Sequence, residues 1–288
     1  SDYFDKRILI WNTIPASSGA TPDVVVGKKS FYHNNAVIDE ATLDSLYGMA
    51  ISGSKLFVAD YSNNRILIWN TIPTTNGASA NVVLGAPDFV TGGTAAVDEA
   101  NFRPCGVGVY GTKMVVCDAM NSRILIWNTI PTTNGASANV VLGAPNFVTG
   151  GTGGPTQKDF GGGEGLQVDS QGRIIFTDYN NDRILIWNTI PITNYASADI
   201  VVGPPNFISS GFGTSQTTLG NPESAVSDGT RLIVGDYGNH RVLVWKTIPT
   251  ENGAPANFVI GQDNFVTATS GTSATKLNFP TSVFADGD

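Results

Sequence analysis

The chain has 288 residues, a formal net charge of −8 and a pI near 4.7, so its summed field repels phosphates and anionic headgroups and nucleic acid is not an expected partner. Apolar runs reach about five residues against the roughly 20 needed to cross a bilayer, which excludes a helical membrane span. Only 14% of residues are charged, while Gly numbers 33 and Pro 15, and short runs of Thr, Val, Ile and Asn broken by turn residues predict many short strands.

The opening "SDYFDKR" contains no visible signal peptide, as in a mature secreted protein. The expected location is secreted or cell-surface, the periplasm included. The length exceeds a usual core of about 100–200 residues, and the composition favours one repeat-built all-β domain over residues 1–288.

"NNRILIWNTIPTTNG" at 63–77 returns almost to the letter as "NSRILIWNTIPTTNG" at 121–135. The arginine of this phrase falls at Arg7, Arg65, Arg123, Arg183 and Arg241, in steps of 58, 58, 60 and 58. All five tryptophans follow four positions later, at Trp11, Trp69, Trp127, Trp187 and Trp245. The same steps carry Asp2, Asp60, Asp118, Asp178 and Asp236, then Gly27, Gly85, Gly143, Gly203 and Gly261, then Phe31, Phe89, Phe147, Phe207 and Phe265. Five copies of one unit fill the chain.

Within the unit at 47–104, "GMAIS", "KLFVADY", "RILIWN" and "NVVLG" are predicted as four strands, followed by the long loop "APDFVTGGTAAVDEANFRP". The second and third strands are apolar on both faces, as expected of a small sheet sandwiched between two neighbours in a β-propeller. In "RILIW" the isoleucines should face one neighbouring blade, and Leu and Trp the other, because strand side chains alternate. Each large apolar side chain so buried contributes roughly 1.5–3 kcal/mol. The preceding "D-x-x-N-x-R" predicts a tight turn in which Asp accepts backbone hydrogen bonds and Arg pairs with a carboxylate. The following "TIP" and "NG" should end the strand in a turn.

Cys105 and Cys117 lie nearly opposite if 105–109 and 113–117 form a hairpin, so a cross-strand disulfide is one reading. Two separate buried thiols are the favoured one. Neither has a neighbouring His, which argues against a nucleophile.

"LFVADYSNNRILIW", "IIFTDYNNDRILIW" and "LIVGDYGNHRVLVW" resemble NHL repeats, with "NHRVLVW" at 239–245 the nearest match. The resemblance covers the whole chain through five units. It implies a β-propeller, a fold that NHL repeats commonly build with about six blades of shorter units; five blades are expected here, or six in a longer chain. The terminal "FPTSVFADGD" reads as a first strand and the initial "DYFDKRILIWN" as a second and third, so the closing blade is expected to be shared by both termini. A segment equivalent to "KLFVA" at 55–59 lacks a counterpart there. The closing blade then has three strands, or belongs to a longer chain, or receives a strand from another chain; self-assembly or strand donation is therefore an expected partnership.

The NHL resemblance extends to RNA-binding domains, an amidating lyase, lactone- and ester-hydrolysing relatives and surface proteins, and fold does not choose among them. The lyase type needs several histidines around zinc; this chain has His33 and His240, both expected as surface loop residues. The hydrolase type holds calcium with carboxylates near the start of innermost strands. Glu164 and Glu223 are the candidates, where other units carry Tyr47 and Cys105. Five of the 16 Lys and Arg are the repeated arginine, leaving 11 cations against 24 carboxylates, which speaks against RNA recognition. No G-x-S-x-G elbow or phosphate loop is present.

The loops from each fourth strand to the next first strand vary most and should emerge with the second-to-third-strand turns on one face. Tyr47, Arg103, Lys158, Glu164 and Glu223 are the candidate ligand-binding residues there. No catalytic residue, metal or cofactor is assigned. The expectation is a non-catalytic binding or scaffold propeller contacting a protein, peptide or glycan; the alternative is a calcium-assisted lactone or ester hydrolase at the channel mouth.

Overall fold

A computed structural model of the chain describes residues 2, 4–32 and 38–285. His33, one of the two histidines weighed above, lies outside them. The first unit contributes β1 (Ile8–Ile10) and β2 (Val24–Val26). Each later unit forms a four-stranded antiparallel sheet in sequential order. The second consists of β3 (Leu46–Ser52), β4 (Lys55–Asp60), β5 (Arg65–Trp69) and β6 (Val82–Leu84). The third has β7 (Pro104–Tyr110), β8 (Lys113–Asp118), β9 (Arg123–Trp127) and β10 (Val140–Leu142). The fourth has β11 (Gly163–Val168), β12 (Ile174–Asp178), β13 (Arg183–Trp187) and β14 (Ile200–Val202). The fifth has β15 (Pro222–Ser227), β16 (Leu232–Asp236), β17 (Arg241–Trp245) and β18 (Phe258–Ile260). The strands predicted for the unit at 47–104 match within one or two residues.

The first strands β3, β7, β11 and β15 pack beside one another and so lie innermost. Gly106 permits this crowding: a Cβ there would stand 3.1 Å from the Leu166 amide nitrogen. The sheets stack face to face, as the alternation in "RILIW" requires. Ile66 and Ile68 of β5, with Val82 and Leu84 of β6, meet Leu125, Trp127 and Val141 of the next unit. Ile124 and Ile126 meet Leu185 and Trp187 in the same way, and Ile184 and Ile186 meet Leu243 and Trp245. The result is an all-β propeller built from five repeated units.

The D-x-x-N-x-R motif forms a buried hub that organises one end of each sheet. Asp60, Asp118, Asp178 and Asp236 end the second strands, and a single 3₁₀ turn follows. The next residue, Asn64, Ser122, Asp182 or His240, is left-handed at φ 50–53°. In the third unit Arg123 Nε donates to Asp118 Oδ2 at 2.7 Å, with both side chains fully buried. The other Asp118 oxygen accepts the Arg103 amide at 2.9 Å, and Asn121 adds a side-chain donor. Arg123 also donates to the main-chain oxygens of Phe147 and Asn101. Burial pushes the Asp118 carboxyl up, and the guanidinium and amide donors oppose that shift.

The Asn-Gly pair after each third strand does more than turn the chain. Asn76 Oδ1 accepts the amide of Val25 at 2.9 Å, and the Gly77 amide donates to the Val25 carbonyl at 3.0 Å. Asn134 and Gly135 grip Val83 likewise, Asn194 and Tyr195 grip Val141, and Asn252 and Gly253 grip Val201. Each unit therefore clamps the outer strand of the unit before it. That occupies a sheet edge otherwise open to stray pairing.

The favoured expectation for the cysteines is corrected. Cys105 and Cys117 are joined by a disulfide with Cα atoms 5.4 Å apart. The β7–β8 register shifts between Pro104 and Gly106. That bulge turns Cys105 onto the face that Cys117 presents to the fourth unit, where both belong to one buried cluster.

Candidate functional site

The same bulge recurs at the start of every complete first strand: between Leu46 and Met49, Pro104 and Gly106, Gly163 and Leu166, and Pro222 and Ser224. Tyr47, Cys105, Glu164 and Glu223 are the residues caught in it. Because β3, β7, β11 and β15 are neighbours, these positions form an arc around the inner rim on the loop-bearing face. Cys105 is withdrawn into the interior, which leaves an aromatic half and an acidic half.

In the aromatic half, Tyr47 stacks on Tyr61 with ring centroids 4.4 Å apart. The Arg103 guanidinium lies 5.2 Å from the Tyr61 centroid. Arg103 Nε donates to Asn64 Oδ1 at 2.9 Å, and its amide is held by Asp118, so the cation is fixed between two units. A delocalised cation over a tyrosine face adds about 0.5–1 kcal/mol at an exposed site. Tyr47 and Arg103 are thus joined through Tyr61, a turn residue that sequence reasoning did not single out.

In the acidic half, burial pushes the Glu164 carboxyl up. Burial, then the charge of Glu164, pushes Glu223 up. The Tyr179 hydroxyl is raised by burial and then by both carboxylates, which places the three in one electrostatic neighbourhood. Glu223 Oε2 and Ser224 Oγ are buried without a hydrogen-bond partner. Among the described residues no group of three or more His, Cys, Asp or Glu is arranged to hold a metal ion.

Raised carboxyls bind their protons more tightly in the folded chain than in the unfolded one. The stability they contribute is complete below the ordinary glutamate value of 4.5 and is lost as pH rises through the folded values. Glu223→Gln should therefore raise Tm by roughly 1–3 °C at neutral pH and leave it unchanged well below 4.5. Thermal melts across that window measure the difference. A variant that tracks the parent at every pH would show that neither burial nor Glu164 raises the Glu223 carboxyl.

Lys158 stands apart from the other four candidates. Its Nζ lies 4.8 Å from the Tyr195 ring centroid, and Tyr195 is anchored through its hydroxyl to Asp159 and through its amide to Val141 on an outer strand. That places Lys158 at the outer rim. His240 occupies its expected turn, where Nδ1 accepts the Phe279 amide at 3.2 Å.

One feature of this face was missed from sequence. Directly after the periodic phenylalanine come Tyr32, Val90, Val148, Ile208 and Val266, all between 67% and 98% exposed. The phenylalanine carbonyls accept hydrogen bonds from the hub arginines, as Phe89 does from Arg65. The apolar residue that follows is consequently held outward in each unit. Its signal was available, since all five positions are apolar or aromatic, directly after the periodic phenylalanine and before a polar residue.

Comparison with known protein families finds no match, and comparison with curated proteins finds none either. Among solved structures, the chain is similar to U3-55K at 14% identity and a TM-score of 0.43, covering 82% of this chain and 55% of that one. It is similar to the WD40 repeats of RRP9 at 14% identity and a TM-score of 0.43, covering 79% of this chain and 52% of that one. The chain spans about half the length of these structures. The repeated sheets, their sequential strand order and their face-to-face stacking identify the chain as a β-propeller assembled from copies of one unit.

Proposed function

We propose that the protein is a non-catalytic binding or scaffold propeller that contacts a protein, peptide or glycan through its loop-bearing face. The carrying observation is the exposed apolar residue each unit projects on that face, beside the Tyr47–Tyr61–Arg103 stack. Regularly spaced apolar side chains that no internal contact accounts for are what a binding surface requires. We assign the units to the NHL type on the "GNHRVLVW" pattern, and we place the protein in the secreted or cell-surface compartment. The Cys105–Cys117 disulfide supports that location, since disulfides persist where the environment is oxidising.

Arrays of extracellular proteins, peptides and glycans, probed with the parent and with a V90D/V148D/I208D variant, test the reading. At least about tenfold weaker binding at unchanged Tm is expected, because the substituted side chains are exposed. Turnover of lactones or esters by the purified protein would overturn it. The calcium-assisted alternative rests on Glu164 and Glu223. It would gain if calcium raised Tm in the parent and not in a Glu164→Gln variant.

A further inference from the structure

Seven of the eight arginines pair with an aspartate. The exception is Arg103, which has no carboxylate partner among the described residues in a chain with 24 carboxylates against 16 cations. Its Nε donates to the neutral Asn64 Oδ1 at 2.9 Å, and its guanidinium rests 5.2 Å from the Tyr61 centroid. Among the described residues nothing accepts from Nη1 or Nη2, and neither atom is sealed from solvent.

The junction between units does not need this cation. Arg103 is the residue just before β7, where the other complete units carry Ser45, Gly162 and Asn221. Between the fourth and fifth units the Asn221 main-chain amide donates to Asp182 Oδ1 at 2.8 Å, and no guanidinium is involved. The Arg103 side chain takes no part in the Asp118 hub either, which uses its amide.

We propose that Arg103 and the Tyr47–Tyr61 stack form a carboxylate-binding site, and that its ligand is a peptide segment presenting a carboxyl group beside an apolar side chain. The site deepens the loop-face reading above and rests on it. With Nε tied to Asn64 and the Tyr61 ring beneath, the guanidinium fork is held before a ligand arrives. Its two terminal nitrogens can then meet both oxygens of one carboxylate. Tyr47, 43% exposed and stacked on Tyr61, offers an aromatic surface to the neighbouring apolar side chain. The chemistry selects a peptide over an acidic polysaccharide, because a net charge of −8 repels a polyanion far more than a lone carboxylate. Val90 and Val148, exposed on the same face, are likewise complementary to apolar side chains and not to sugar hydroxyls.

An array of random-sequence peptides, with polygalacturonate as the acidic-glycan control, tests this on the whole chain. Each binder is remade with its side-chain carboxyls as amides and, separately, with its terminal carboxyl as the amide. One of the two forms should bind at least about tenfold more weakly, and which one does separates a side-chain from a terminal carboxylate. Arg103→Gln should bind acid and amide forms alike, with Tm close to the parent's. Arg103→Lys keeps the charge without the fork and should recover only part of the affinity. Asn64→Asp leaves Arg103 in place and supplies a carboxylate from within the chain, at the loss of the Asn64 bond to the Gly93 carbonyl. Asp182 already holds the same left-handed turn position, so the fold accepts the change, and peptide binding should fall at least about tenfold. Binders that ignore both Arg103→Gln and Asn64→Asp yet lose affinity in V90D/V148D/I208D would overturn this site and leave the loop-face reading standing. An array with no binder, or Arg103-dependent binding confined to polygalacturonate, would overturn the proposal.

Discussion

Asp118→Ala is expected to destabilise the chain by about 3–5 kcal/mol, the range for removing one partner of a buried ion pair. Arg123 is fully buried and its Nε is left without a carboxylate, while the Arg103 amide and the Asn121 side chain lose their acceptor. Denaturant unfolding followed by circular dichroism measures the loss. Adding Arg123→Met should not rescue the variant fully. The guanidinium also satisfies the carbonyls of Asn101 and Phe147, and each polar group left unsatisfied in a buried setting costs about 1–3 kcal/mol. A loss below about 1 kcal/mol for the single variant would mean that water takes over the hub.

The second large effect is expected at Trp127. It is 2% exposed, meets Phe102 edge-on at 5.8 Å and fills the interface between the second and third units. Trp127→Ala should cost about 3–5 kcal/mol through lost contacts and the cavity left behind. Trp11→Ala, the same change in the same phrase, should cost under about 1 kcal/mol in dilute solution, because Trp11 stands at the open end. Parallel unfolding of the two variants decides the point. Equal losses would show that position in the stack does not govern the energetics.

The propeller was legible because its information is periodic. The Arg, Trp, Asp, Gly and Phe positions recur together, and a strand apolar on both faces must be covered on both by neighbouring sheets. The candidate site was legible only in part. Glu164, Glu223 and Tyr47 were found because they stand where units differ, yet the bulge that aims them leaves no mark in composition. The same bulge decides the cysteines: the β7–β8 register pairs Cys117 with Gly106, and only the irregularity between Pro104 and Gly106 brings Cys105 onto the Cys117 face. Lys158 was grouped with the others by loop membership, whereas its loop runs from the outer strand β10 to the inner strand β11 and Lys158 stays at the outer end beside Tyr195. The Asn-Gly turn was understood locally, and its partner 51 residues away in the preceding unit is invisible without the stacking.

The hub arginines grip main-chain oxygen wherever they reach into the variable loops. Arg65 takes Asp39 and Thr42, Arg183 takes Thr156 and Asp159, and Arg241 takes Ser215 and Thr218, each through the carbonyl. A carbonyl is the same atom pair whatever side chain accompanies it. The fourth unit shows the tolerance directly, for its 60-residue step places extra chain between Phe147 and Glu164 and Arg183 still closes on two carbonyls there. The loop-bearing face can accordingly be rewritten one residue at a time without loosening its anchorage. That separation lets a duplicated unit acquire new specificity while its framework stays unchanged.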